Sequence, residues 1–221
     1  MGQSTGLVMP RWIDVEGVKN FRDIGGWPVS DGKGYIRERF VFRCGHLVNV
    51  TPKGAAVLQQ LNVVAAFDFR SHPEIQRQGI MADISGLTRH PSAIFSEADY
   101  SPAALASRWQ GYFEGAVGFP KVYMVILEKG GPQFRKIFLH MLENHSREST
   151  KSLIIHCTAG KDRTGVFIML LLGLCGVDEE IIAREYAMSN LGYWEQDNEL
   201  QAKADMLNVS IDDMRLVMSA P

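Results

Sequence analysis

The chain has 221 residues, 46% hydrophobic and 22% charged, with 23 Lys+Arg against 25 Asp+Glu for a formal charge of −2. At roughly 150 residues per domain, this length reads as one domain, 1–221, and the composition excludes a long disordered region. No net basic field exists to draw nucleic acid or an anionic membrane, so neither is expected as a partner.

Cys44, Cys157 and Cys175 are the only cysteines. Three make no disulfide framework, and none has zinc-site spacing, so neither a metal nor another cofactor is expected. Met1 to Pro10 lacks the charged and apolar regions of a signal peptide, and Gly6 stands where a myristoylation motif needs Ser or Thr. The most apolar run, Gly165 to Val177, covers 13 residues. A membrane span needs about 20, so this run reads as a buried helix. A reducing, cytoplasmic setting is expected.

Residues 11–39 are rich in Gly and charge and read as loops with an edge hairpin, Ser30-Asp31-Gly32 marking a turn. Phe40 to Arg43 reads as a short strand. Thr51-Pro52 offers an N-cap followed by Pro at the first helical position, opening a helix through Val57, Leu58 and Leu61. Val63 to Phe69 is a β-branched and aromatic run short enough for a buried strand. Residues 97–145 read as a helical insertion, a lid, a substrate wall or added core. Ser101-Pro102 is a second helix start, and Phe134, Ile137, Phe138, Met141 and Leu142 form a stripe toward a core. Leu153 to His156 is another strand, followed by a tight turn and the apolar helix to Cys175. Gly176 ends that helix and Asp178 caps the next, Glu179 to about Met188. The alternation predicts an α/β fold with a central, mostly parallel sheet flanked by helices.

The chemistry concentrates in His156 to Gly165, HCTAGKDRTG. A strand delivers Cys157 to the end of the sheet, and a five-residue loop separates it from Arg163 at a helix start. Such a loop, Thr158, Ala159, Gly160, Lys161 and Asp162, curls so that its amides point inward. With the positive end of the helix dipole, they make an anion cradle. The same field favours a thiolate over a thiol. Arg163 offers a planar fork for two phosphate oxygens. Gly160 allows positive φ. Thr164 brings a hydroxyl beside the sulfur, and Lys161 adds a positive charge at the rim. Together these suit thiolate attack on a phosphate dianion, giving a phospho-cysteine that water then hydrolyses. Arg163 and the amides neutralise the charge without a metal.

Cys157-x5-Arg163-Thr164, with Lys161-Asp162 inside the loop, resembles the signature of cysteine-dependent protein tyrosine phosphatases, in particular their atypical tyrosine/serine branch. Asn20 to Gly26 (NFRDIGG), Phe42 to Leu47 (FRCGHL), Asp68-Phe69-Arg70-Ser71 with Glu74, and Tyr186 to Asn190 (YAMSN) fit the same branch, so the resemblance runs from about residue 16 to 190. It implies a phosphatase-like fold. It also implies hydrolysis of phosphotyrosine in proteins, with phosphoserine or phosphothreonine as further substrates it leaves open. A phosphoinositide substrate, or phosphate binding without turnover, stays open beside it. A sulfur-transfer enzyme fits the loop alone. A P-loop NTPase fails because Asp162 follows Lys161, and a lipase fails for want of a G-x-S-x-G elbow. The branch usually has Ser where Cys44 stands, and its members usually continue past the point where this sequence ends at Pro221.

Typical members take their general acid from an Asp about 30 residues before the cysteine. Here no Asp lies between Asp99 and Cys157, and Glu114 and Glu128 lack the usual context. Asp162 is the first candidate and Asp68 the second; alternatively Asp68 pairs with Arg70 or Arg163 to brace the loop. His156 is expected to hold loop geometry. Arg22 and Asp23 either brace the loop or line the pocket, Lys161 is either a phosphate contact or a solvated rim charge, and Asn190 is a candidate to close the pocket. Cys175 is expected in the core. Cys44 is either packing or a redox partner of Cys157.

Overall fold

The computed structural model describes residues 11–144, 146 and 148–220. The leader and myristoylation readings of Met1 to Pro10, and the ends at His145 and Pro221, lie outside the described residues.

Three strands form the heart of the sheet because their side chains are buried on both faces. They are β2 (Val41–Cys44), β3 (Val63–Asp68) and β5 (Ser152–His156). Near-continuous apolar runs of this kind are what a parallel sheet covered on both sides requires. The order is β1-β2-β5-β3-β4, with β1 at Arg22–Asp23 and β4 at Thr88–Pro91. Only β1 runs antiparallel, against β2, as an edge strand. Phe42, Ala66 and Ile154 face one side, with Leu58 and Leu61. Val41, Ala65, Leu153 and Ile155 face the other, against Ile126, Phe134, Val166 and Phe167.

Helix α1 (Pro52–Gln60) begins where Thr51 accepts the Gly54 amide. Helix α2 (His72–Gln78) begins with a capping box in which Glu74 accepts the Ser71 amide. After β4 come α3 (Pro102–Phe113) and α4 (Gly118–Asn144). Helix α5 (Asp162–Leu174) follows β5. Then come α6 (Glu179–Ala187), α7 (Ser189–Gly192), α8 (Asp197–Leu207) and α9 (Ile211–Met218). Among the described residues no helix is long and apolar enough to cross a membrane.

Three details depart from the sequence reading. The stripe from Phe134 continues back through Pro132 as one helix of 27 residues. Proline there forfeits a helix hydrogen bond, a cost of about 3 kcal/mol. Burial of Phe119, Val122, Ile126, Phe134 and Ile137 along a single face offsets it. Leu142 is 81% exposed, in the last turn of that helix. Cys175 is exposed rather than core. It is the C-cap of α5, whose last turn protrudes before Val177 returns to the core.

Candidate active site

Strand β5 lies between β2 and β3, so a strand late in sequence is inserted between two earlier ones. Ligands of α/β sheets bind at the carboxyl ends of strands where the order switches in this way. Cys157 sits at that point, immediately after β5, and is 3% exposed. The loop after it is held from outside by its carbonyls. Thr158 O accepts from His46 N at 3.0 Å. Asn20 Nδ2 donates to Ala159 O at 3.0 Å and Gly160 O at 3.1 Å. Arg43 Nη2 donates to Gly160 O at 2.7 Å and Lys161 O at 3.1 Å. With four successive carbonyls tied outward, the amides of residues 158–161 find no acceptor among the described residues. This is the arrangement of an anion-binding nest. Gly160 is indispensable to it: φ is +67°, and a Cβ would stand 2.1 Å from Cys44 O.

A buried ionic cluster fixes those supports. Arg22 Nε pairs with Glu185 Oε1 at 2.8 Å, Arg43 pairs with Glu185 Oε2, and Arg22 also donates to Asn20 and to Ser189 Oγ. Burial, then the neighbouring Arg43, lowers Arg22 to about 10, which leaves it charged at neutral pH. Burial works against the Glu185 charge, but Arg43 and Arg22 hold its carboxyl below the usual range.

Arg163 opens α5 and turns its guanidinium onto Glu74. Nη1 meets Oε2 at 2.6 Å and Nη2 meets Oε1 at 2.7 Å. Glu74 also accepts from Thr158 Oγ1 at 2.8 Å and Tyr100 OH at 2.6 Å. Burial opposes both charges, yet each ion outweighs it for the other. Glu74 is held well below the carboxylate range and Arg163 well above its usual value. The Arg163 Nε–H has no acceptor among the described residues, which leaves one edge of the fork for an anion.

Lys161 is not at the rim. It is 2% exposed. Its ammonium donates to Val217 O at 3.0 Å and Ser219 O at 2.8 Å, and pairs with Asp162 Oδ1 at 2.9 Å. The rings of Phe119 and Tyr112 face it. Asp162 Oδ1 also accepts from Tyr123 OH at 3.0 Å and Tyr186 OH at 3.4 Å, and the two phenols share a short hydrogen bond. Burial, then the Asp162 charge, pushes both phenols up, so they stay protonated donors.

Asp68 is fully buried at the end of β3. It accepts from Arg70 Nε at 3.1 Å and Arg70 Nη2 at 2.9 Å, and pairs with Arg89 at 2.9 Å. It meets Arg70, as one sequence reading held, and not Arg163. Burial raises Asp68, but His156 and then Arg70 bring it down to about 2. Burial pushes His156 down to about 4, so this ring, 3.8 Å from Asp68 and against Cys157 O, is neutral at pH 7. Thr164 Oγ1 is buried without a partner among the described residues. Asp23 does not reach the loop: its carboxylate accepts the Gly25 and Arg39 amides and closes the edge hairpin. Glu114 pairs with Lys121 on an exposed face, and Glu128 is exposed. Cys44 is a buried thiol that burial, then Cys157 and Asp68, hold well above its usual value. Asn190 clamps the Ala220 backbone in both directions, with Nδ2 to Ala220 O at 2.9 Å and Ala220 N to Oδ1 at 2.6 Å.

Glu74, Glu185 and Tyr123 carry much of this geometry, yet the sequence singled out only Glu74, as part of the branch match and without a role. Only Glu74 had a local signal, the Ser71-x-x-Glu74 capping box just after a strand. Beside the loop, a cleft of about 740 Å³ is lined by residues including Lys19, Gly45, His46, Thr158 and Tyr193. Among the described residues no cluster of His, Cys, Asp and Glu is arranged to hold a metal.

A mostly parallel sheet that ends in an anion nest, with a thiol at one end of the loop and a clamped guanidinium at the other, defines the phosphatase-like class. Residues 13–220 match the tyrosine phosphatase family, and the chain belongs to it, as a hydrolase of the protein tyrosine phosphatase family. It is 27% identical over 198 residues to the triple specificity protein phosphatase PtpB of Mycobacterium tuberculosis, covering 80% of this chain and 68% of that one. It is 38% identical over 69 residues to a tyrosine-protein phosphatase of Nostoc commune, covering 31% of this chain and 22% of that one. The likeness to the structure of P. aeruginosa TpbA in complex with pTyr is remote. There the TM-score is 0.31 and identity 17%, over 83% of this chain and 88% of that one.

Proposed function

We propose that the protein hydrolyses phosphotyrosine in proteins through a phospho-cysteine intermediate. The observation that carries this reading is the loop itself: four carbonyls drawn outward, four amides left free, and Cys157 and Arg163 at its two ends. Cys157 Sγ attacks phosphorus as the P–O bond to the tyrosine oxygen breaks. The amides and the free edge of Arg163 meet the charge on the equatorial oxygens. Asp162 is the acid we assign to the leaving oxygen. It is partly exposed at the loop, whereas Asp68 is locked between two arginines. Water then attacks phosphorus, the S–P bond breaks, and orthophosphate and the thiolate are released.

A cation at the rim would favour multiply phosphorylated ligands, but the Lys161 ammonium is buried on the carbonyls of Val217 and Ser219. Phosphotyrosine therefore ranks above a phosphoinositide. The test is turnover of phosphotyrosine and phosphoserine peptides and phosphoinositides with EDTA present. We expect the tyrosine peptide to be fastest, Cys157→Ser to abolish turnover, and rapid quench of wild type to trap phosphate on Cys157. Turnover that survives Cys157→Ser would overturn the mechanism. A phosphoinositide as best substrate would overturn the ranking.

A further inference from the structure

A chain of contacts runs from α7 to the phosphate loop through residues that the reaction itself does not use. Asn190 grips the backbone of Ala220 on both sides. That grip holds the end of α9, where the carbonyls of Val217 and Ser219 receive the Lys161 ammonium. The third acceptor of the same ammonium is Asp162, at 2.9 Å. One buried cation is thus shared between two carbonyls and the carboxylate assigned as the acid. An ammonium with three donors distributes its field over whatever acceptors are in place. Remove two of them and the remaining ion pair tightens.

We propose that segment 211–220 sets how strongly Lys161 pairs with Asp162, and that Asn190 is the positioning residue that holds the segment in place. This rests on the phosphatase reading with Asp162 as acid. A general acid must carry its proton when substrate binds. The two carbonyls share the donors of the ammonium with the carboxylate. The other groups that face Asp162 stay constant in this scheme. They are Tyr112 from α3, Tyr123 from α4, Tyr186 from α6, Arg163 of its own helix, and Arg43 from β2, which holds the Lys161 carbonyl.

The test is the pH dependence of kcat on phenyl phosphate, whose leaving group needs the acid. Asn190→Ala leaves Lys161 with Asp162 as its main acceptor, so the basic limb should move down by about one pH unit, the low end for a cation at this range. Lys161→Met should move the limb up. The double variant should match Lys161→Met alone, because the contact chain acts through that ammonium. Ala220→Pro deletes the N–H donated to Asn190 and should reproduce Asn190→Ala, which covers the case in which that variant does not fold. The proposal is overturned if kcat drops in both variants while the limb stays in place, or if Asn190→Ala shifts the limb equally in the Lys161→Met background. An Asp162→Asn enzyme that keeps its basic limb would instead remove the acid assignment, and this inference with it.

Discussion

Lys161 and Arg163 lie two residues apart in one loop, and the structure treats them in opposite ways. On the α2 side, Arg163 meets a single carboxylate in a bidentate pair that orients the guanidinium and leaves one edge open. On the α9 side, Lys161 is enclosed by two carbonyls, a carboxylate and two rings, with its charge turned inward. The difference follows from the shape of each cation. A planar fork can bind one partner and present another edge, whereas a compact ammonium gives its donors to whatever surrounds it. Two positive charges in a signature loop are therefore not two anion ligands.

The largest effect should come from breaking the Arg163 side. Glu74→Ala leaves a buried guanidinium unpaired and strips Thr158 and Tyr100 of their acceptor. Stability in urea should fall by about 3–5 kcal/mol, and kcat/KM should fall with it. An unchanged kcat/KM would mean that the clamp does not orient Arg163.

The acid dependence of stability comes next. His156 is lowered to about 4 in the folded chain, against about 6.5 when unfolded. Between those values the unfolded chain binds the extra proton, so stability is full above about pH 6.5 and is lost as pH falls toward 4. The loss should be on the order of 3 kcal/mol, and His156→Asn should flatten the curve in that window. Glu74 and Asp68 are depressed carboxylates, so their contribution disappears only below about pH 4. A denaturation series from pH 7 to 4 that shows no slope would contradict this ordering.

Gly160→Ala sharpens the comparison at the point between the two cations. A methyl there meets the Cys44 carbonyl at a positive φ. The strain should cost about 1–3 kcal/mol and weaken orthophosphate binding by calorimetry, since the amides on both sides must turn. The smallest effect is expected at Cys175→Ser. The residue is exposed, so stability should change by less than about 0.5 kcal/mol. In the wild type this thiol should take up maleimide before Cys44 does.

Local rules were enough for the elements that carry their own signals. Thr51-Pro52, Ser101-Pro102 and Asp178 cap helices as their residue types require. The apolar runs at 63–69 and 153–156 are strands because only a covered parallel sheet accommodates them. The loop from Cys157 to Arg163 was legible because its residues are contiguous and each type has a narrow chemical use. Helix α4 through Pro132 was not, because a buried face many residues long outweighs one lost hydrogen bond, and that face exists only after folding.

The amino-acid sequence by itself determined the strand–loop–helix unit, with the thiol at one end and the guanidinium at the other, because those relations lie within ten residues. Tertiary structure alone decided which distant acceptor each charge meets. Glu74 comes to Arg163 from 89 residues away, Glu185 to Arg22 from 163, and Val217 to Lys161 from 56. Desolvation makes a buried ion depend on its partners, and no local pattern states which distant residues those partners are.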